Sequence, residues 1–244
     1  VPSQVARVLE LSVDGVEQLC ASWPEPGAFV RHSPWFGGLH PVLQAQGQDW
    51  WAYPGKLAEE RFDWEIAERV GAQGIRWRGA RLTCQPRAPE LAGLRVALEY
   101  LLSGGGNLLG LVARVENRGR APWRGRLELV SFLQPGGDRA RGELSLLRGR
   151  ELLRRRVHGE EDSDSQGWCA VAAPGGPALA LVAAAGPARV AVWDVGLEGA
   201  HPYLTRALDL DPGASAELAG YLVVADDLEQ ARLYQALEEQ EGLV

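Results

Sequence analysis

Apolar and polar residues alternate with a period of two through the middle of this 244-residue chain. Such alternation is typical of a half-buried β-strand. Short polar turns, SGGGN and RGRAP, separate the segments LRVALEYLL, LLGLVARVEN and WRGRLELVSFL. Three strands joined by short turns predict an antiparallel meander. One face of the first segment is expected to carry Leu94, Val96, Leu98, Tyr100 and Leu102.

Similar patterns extend on both sides of the meander. Asp14-Gly15 predicts a tight turn in an N-terminal hairpin. The segment RFDWEIAERV fits a strand better than a short helix, and the acidic stretch at 159–167 predicts a loop. The terminal DDLEQARLYQALEEQ predicts a helix capped by Asp226 or Asp227. More than ten candidate strands predict an all-β fold, a large antiparallel two-sheet sandwich with a C-terminal α-helix.

The composition narrows the class of partner. A formal net charge of −7 disfavours nucleic acid and anionic membrane surfaces as partners. No long apolar run and no signal-peptide pattern is present, which favours a cytoplasmic protein. The three cysteines form no C-x-x-C pair and are expected to be buried thiols, and no cofactor is predicted. We expect one domain over residues 1–244; Val1 indicates a processed or excised segment, or trimmed numbering.

The stretch RHSPWFGGLHP at 31–41 holds two histidines, His32 and His40. Zinc and iron sites need three or four converging ligands. Three residues could complete such a set only through the fold: Asp49, His158 and His201. We therefore predict no metal site, and we expect the two histidines to bond with loop backbone.

Two His-Pro pairs suggest a site for acid–base chemistry. His40-Pro41 and His201-Pro202 each stand at a strand entry, so they either line one cleft or belong to two unrelated turns. A sugar epimerase would need a carboxylate facing the histidines, within roughly 6–10 Å. Whether the chain is an enzyme stays open. The catalytic candidates are His40, His201, Glu59 and Asp194.

Nine tryptophans are present, several of them in the stretches PWFGG and QDWWAYPG, whose Gly and Pro content indicates loops. Indole rings stack on the apolar faces of sugars, while neighbouring polar groups bind the hydroxyls. The alternative is that these tryptophans cover the open ends of the sandwich. The predicted ligand-binding residues are Arg31, Trp35, Phe36, His40, Trp50 and Trp51.

The central meander, the closing pair LDLDPGASAELAGYLVVA and the aromatic SPWFGG loop together resemble the galactose-mutarotase-like β-supersandwich superfamily. The resemblance covers about half of the chain and implies a sugar-related ancestry. Epimerases of that superfamily have a histidine-containing loop and a late catalytic glutamate, and neither can be placed here residue by residue. Glu217 lies in the closing pair and is expected to face solvent.

The leading hypothesis is a carbohydrate-binding or carbohydrate-processing domain with a cleft formed by aromatic loops. Two alternatives remain: a scaffolding or interaction domain of a larger polypeptide without a small ligand, and an aldose-epimerase-like enzyme. The expected partners are a saccharide and either a second copy of the chain or a neighbouring domain, since exposed Trp and Arg are common at interfaces.

Overall fold

The computed structural model contains two antiparallel β-sheets packed face to face, and the predicted all-β sandwich with a C-terminal helix is confirmed. The structure describes residues 6–21, 27–29, 33–35, 37–48, 57, 60–71, 74–138, 142–148, 151–156, 160–184, 186–195 and 200–235. In chain order the strands are β1 Ser12–Val13, β2 Val16–Glu17, β3 Gly27–Phe29, β4 Ser33–Trp35, β5 Leu39–Ala45, β6 Asp63–Val70, β7 Arg76–Cys84, β8 Leu94–Ser103, β9 Leu108–Asn117, β10 Trp123–Ser131, β11 Glu143–Arg148, β12 Glu151–Arg156, β13 Glu160–Ser165, β14 Trp168–Ala172, β15 Ala178–Ala183, β16 Arg189–Val195, β17 Ala200–Leu210 and β18 Ser215–Ala225.

The two sheets differ in width. The five-stranded sheet has the order β13-β16-β17-β10-β5, and the nine-stranded sheet has the order β12-β11-β14-β15-β18-β9-β8-β7-β6. The main core lies between them, and alternate residues such as Leu98, Leu129 and Leu204 fill it. Two short hairpins, β1-β2 and β3-β4, stand apart from these sheets.

The predicted three-stranded meander is wrong in its last strand. β8 and β9 pair as expected, but β10 lies in the other sheet, between β17 and β5. Asn117, buried at the end of β9, holds this corner: its Nδ2 donates to the carbonyls of Ala121 and Leu210, each at 2.9 Å. Beside it the chain passes from β17 in the five-stranded sheet to β18 in the nine-stranded sheet. Gly213, in this connection, donates its N–H to the Asn117 carbonyl. Tight turns therefore do not guarantee that consecutive strands pair.

The acidic stretch predicted as a loop is also corrected, because Glu160–Ser165 forms β13. This strand is at the edge of the five-stranded sheet and pairs with β16 alone among the described strands. An edge strand keeps its backbone hydrogen bonds while tolerating charged side chains, which explains why so polar a segment is extended.

The two ends of the fold follow the predicted patterns. Asp14 and Gly15 have positive φ angles, 51° and 79°, and form the turn between β1 and β2. At the other end α1, Leu228–Arg232, is capped by Asp227, whose side chain accepts a hydrogen bond from Gln230 N at 2.8 Å. Among the described residues, no helix has the length and apolar character needed to cross a bilayer.

Candidate functional site

The outer face of the five-stranded sheet, turned away from the main core, is buried as well. Leu204 of β17 defines the inner face, because a Cβ built on Gly220 of β18 would lie 2.5 Å from its Cδ1. Side chains alternate across a strand, so the residues that pair with Tyr203 belong to the outer face. Val130, opposite Tyr203, is completely buried, and Phe132 is 1% exposed. The sheet thus has two covered faces.

This outer face brings the two His-Pro pairs together. His40 on β5 lies opposite Val130, and His201 is the second residue of β17, next to the end of β10. Both imidazoles contact the ring of Phe132, with centroid distances of 5.8 Å for His40 and 4.3 Å for His201. Trp193 of β16 follows at 5.4 Å from the His201 ring. The two pairs therefore form one cluster and are not unrelated turns.

The glycine pair after Phe36 is the point where the N-terminal segment attaches. Gly37 and Gly38 have φ angles of 65° and 75°. A Cβ at Gly37 would lie 2.0 Å from the Cys20 carbonyl oxygen, and one at Gly38 would lie 2.2 Å from that of Val8. Only glycine combines this backbone with such close approach. Val8 then pairs with Leu39, and Arg7 donates to the Gly37 carbonyl at 3.2 Å, close to His40.

Burial holds the pKa of His40 well below its usual value, and the charges of Arg7 and His201 lower it further. His40 is 2% exposed and is therefore neutral near pH 7. A neutral imidazole offers one donor and one acceptor to a ligand or to the protein. Burial also lowers the pKa of Arg7, to about 10, so its guanidinium stays charged at neutral pH.

A carboxylate that the sequence did not single out lies on the same face. The side chain of Glu128 on β10 is fully buried, and it lies two residues before Val130, which pairs with His40. Such diagonal neighbours are about 7–8 Å apart. Arg126 and Thr205 each donate toward its Oε1 at 3.4 Å. The sequence did contain a signal for the burial of Glu128. Val130 and Phe132 follow it on the same face of the strand, and two apolar residues there indicate that the outer face is covered as well as the inner one.

Several predicted site residues fall outside the described part of the chain. Trp35 is the last residue of β4, so its backbone is a strand, whereas the sequence predicted a loop. Asp194 pairs with Ala200 and Glu161 in the five-stranded sheet. The side chains of both lie outside the described part, as do all atoms of Arg31, Phe36, Trp50, Trp51 and Glu59. Their roles stay predictions.

The other candidates are placed as follows. Within the described ranges, no three His, Cys, Asp or Glu side chains converge on a point that could hold a metal ion; His32, Asp49 and His158 lie outside those ranges. Burial raises the pKa of the Cys84 thiol to about 12 and that of Cys169 further, whereas Cys20 is only half-buried. Glu217 is exposed.

The tryptophans divide between core and surface. Trp77 and Trp168 are buried in a second core on the outer face of the nine-stranded sheet, beneath α1, where Trp77 lies 6.0 Å from the ring of Tyr221. The alternative that the loop tryptophans cover the open ends of the sandwich stays a prediction, because the side chain of Trp35 and all of Trp50 and Trp51 lie outside the described part. Trp64 is 62% exposed, and Trp193 is half-buried at the histidine cluster.

Solved structures share this fold at low sequence identity. The Slr1438 protein from Synechocystis sp. PCC 6803 superposes with a TM-score of 0.63 at 14% identity, covering 93% of this chain and 91% of that one. A galactose mutarotase-like protein from Lactobacillus casei ATCC 334 gives 0.58 at 12% identity, covering 92% and 95%. The α-galactosidase from Lactobacillus brevis gives 0.55 at 15%, covering 96% of this chain but 36% of its own length.

No protein-family model and no curated protein matches the chain. The structural matches confirm the galactose-mutarotase-like supersandwich fold that the sequence pattern suggested. At this level of identity the likeness establishes the fold, which occurs among carbohydrate-related proteins.

Proposed function

We propose that this chain is a carbohydrate-binding or carbohydrate-processing domain whose ligand stacks on Trp193 at the outer face of the five-stranded sheet, beside the buried imidazoles of His40 and His201. The observation that supports the proposal is the shared Phe132 ring, on which both imidazoles pack. Imidazole, carboxylate and indole groups within one small area are the kinds of group that recognise a sugar's hydroxyls and its apolar ring face.

Access to this site is through Trp193. The ring of Trp193 is half-buried, whereas Phe132, His40 and His201 are at most 2% exposed. A sugar would therefore stack on the indole of Trp193, whose ring centroid lies 5.4 Å from that of the buried His201. The ligand contacts expected of Trp35, Trp50 and Trp51 stay predictions.

Indole NMR tests the binding proposal directly. In protein labelled with ¹⁵N-tryptophan, each indole N–H gives its own resonance, and Trp193→Phe assigns the relevant one. Adding a panel of hexoses and hexosamines should shift the Trp193 resonance in a saturable manner and leave that of exposed Trp64 in place. If no sugar in the panel moves the Trp193 resonance, the proposal is wrong.

A second candidate, an aldose-epimerase-like enzyme, is favoured by Glu128. Anomer interconversion needs one group to take the proton of the anomeric hydroxyl and another to protonate the ring oxygen. Glu128 would serve as the base, and no acid is assigned, because His201 lies four residues along β17 from Thr205, the residue opposite Glu128. His40, which is neutral near pH 7, would donate a hydrogen bond rather than deliver a proton.

Polarimetry of freshly dissolved α-anomers tests this second candidate. A catalytic domain should accelerate the approach to anomeric equilibrium, and Glu128→Gln, which keeps the size of the side chain, should abolish the acceleration. Glu217→Gln, on an exposed glutamate of the other sheet, is the matched control and should leave the rate unchanged. Sugar binding without acceleration would leave the binding function alone standing.

A further inference from the structure

Strand β6 carries an exposed apolar surface at one edge of the nine-stranded sheet. Trp64 and Ile66 are each 62% exposed, and Val70 is 73% exposed. Leu102 of β8, on the same face, is 50% exposed. These four residues, here called the β6 patch, are a majority of the seven large apolar side chains that are exposed in the described part of the chain. Exposed apolar residues concentrated in one place mark interaction sites.

The patch belongs to the face that elsewhere forms the main core. Trp64 lies opposite Leu82 on β7, and Leu82 lies opposite Leu98 on β8. Leu98 is completely buried, Leu82 is 8% exposed and Trp64 is 62% exposed, so the exposed fraction rises from β8 through β7 to β6. The nine-stranded sheet thus extends past the five-stranded sheet, and the inner face of β6 has no sheet packed on it among the described strands.

The backbone of β6 is also open on one side. β6 ends the sheet order and pairs with β7 alone among the described strands. An open edge with an apolar face is a template for another strand unless its charges repel that strand. The charges on β6, at Asp63, Glu65, Glu68 and Arg69, therefore decide which strand fits.

We propose that a second copy of this chain docks on β6 in antiparallel orientation, with the two-fold axis at Ala67. In this register Trp64 lies opposite Val70 of the second copy, so an apolar pair forms on each side of the axis, and Ile66 lies opposite Glu68 between these pairs. On the other face Glu65 lies opposite Arg69 of the second copy, so two ion pairs form. Directly opposed aromatic–aliphatic and opposite-charge pairs both stabilise antiparallel strands.

The charge pattern favours this register over its neighbours. An axis at Glu65 or at Glu68 would set that carboxylate against its own copy, and like charges in opposition are destabilising. An axis at Ile66 would pair Asp63 with Arg69, but it would set Trp64, the largest apolar side chain of β6, against Glu68. The axis at Ala67 places the smaller Ile66 there and keeps Trp64 against Val70. Both charged groups are accessible for the proposed pair: the Glu65 side chain is 65% exposed, and that of Arg69 is 37% exposed although it reaches Glu99.

Sedimentation of charge variants over a wide concentration range tests the dimer. The wild type should dimerise, and Glu65→Arg should raise the dissociation constant roughly tenfold or more because it opposes two guanidinium groups at each end. Arg69→Glu should do the same. Mixing the two variants should restore a heterodimer, since each chain then presents a complementary charge to the other.

Matched variants separate the edge from a general loss of folding. Trp64→Glu, which replaces the apolar pair with Val70 by a carboxylate, should give monomers, whereas Leu153→Glu, on β12 at the opposite edge of the same sheet and 40% exposed, should leave the dimer intact. Circular dichroism checks that each variant is folded. Arg69→Glu removes the ion pair with Glu99, so if that variant does not fold, Glu65→Arg, which retains the pair, still tests the dimer. A wild type that is monomeric throughout, or a dimer that persists in Glu65→Arg and Trp64→Glu, would falsify the proposal.

Discussion

Two surfaces of this sandwich depart from the usual distribution of side chains in opposite directions. On the outer face of the five-stranded sheet, His40, His201 and the Glu128 side chain are at most 2% exposed. On the inner face of the nine-stranded sheet, Trp64 and Ile66 are 62% exposed. The first surface buries polar groups, which is costly unless they are paired, and the second exposes large apolar groups.

The difference shows that the extent of each sheet, and not the alternation of residues along a strand, decides what is covered. Among the described strands, the wider sheet has four more than the narrower one, so its apolar face at β6 has no second described sheet packed on it. The narrower sheet receives the N-terminal segment at Leu39, which adds cover near its outer face. Both departures have the same geometric origin.

The largest expected effect is at Phe132, where truncation removes the ring between two imidazoles. Phe132→Ala should lower the free energy of unfolding by about 3–5 kcal/mol, the usual cost of deleting a buried phenyl group. Urea unfolding measures the change, and Phe132→Leu, which retains most of the volume, should cost clearly less. A loss of less than about 1 kcal/mol, typical of an average substitution, would mean that the outer face is not a packed core.

The attachment of the N-terminal segment is tested by two glycines with similar backbone angles. Gly38→Ala should cost more than the roughly 1–2 kcal/mol of a left-handed residue, because its Cβ meets the Val8 carbonyl oxygen. Gly47→Ala, at a φ of 84° with nothing within 4 Å, should cost only the conformational part. Urea unfolding of both variants gives the difference. Equal losses would contradict tight docking of the segment.

The buried imidazole predicts a dependence of stability on pH. The folded pKa of His40 is below the usual 6.5, so below about pH 6.5 the unfolded chain binds a proton that the folded chain does not. Stability should therefore fall as the pH is lowered from 7 toward 5, by at most about 1.4 kcal/mol per pH unit. Above pH 7 this group should contribute no slope.

Urea unfolding at several pH values, with His40→Gln as the reference, isolates this contribution. The slope between pH 7 and 5 should be smaller in the variant, because glutamine does not titrate. If wild type and variant have the same slope, His40 is protonated equally in both states and its burial is less complete than described.

The smallest effect is expected on the β6 patch. Ile66→Ala should change the stability of the monomer by no more than about 0.5 kcal/mol, as at other surface positions. Leu98→Ala, on the same face but completely buried, should cost about 2–5 kcal/mol. Thermal unfolding at a concentration where the chain is monomeric compares the two. Similar losses would mean that β6 is covered in solution.

The sequence predicted the faces of the strands well and their surroundings poorly. Leu94, Val96 and Leu98 are buried as the alternation requires, but Leu102 continues the same face and is half exposed because it lies near the edge of the covering sheet. Glu128 was missed because it is buried where the alternation predicts exposure. Alternation assigns it to an outer face, and only long-range pairing covers that face.

The site was predicted in part. Its two His-Pro pairs were recognised from sequence, but their meeting depends on β10 lying between β5 and β17, which the predicted meander excluded. The Arg7 guanidinium donates to the carbonyl of Gly37, and the backbone N–H of Phe132 donates to the carbonyl of Gly38, so both residues join the site through partners far away in the chain. No local pattern encodes such contacts, so these residues had no signal as site members.

The amide of Asn117 also has a consequence for the order of assembly. Its hydrogen bond to Leu210 joins residues 93 positions apart in the chain. It links the β9–β10 connection to the end of β17, the two places where the chain changes sheets at this corner. Folds dominated by such non-local pairing form slowly, on the order of milliseconds to seconds, because the intervening chain must be ordered first. During synthesis the corner stays open until Leu210 has been made, so the two sheets cannot be locked together before nearly the whole sandwich exists.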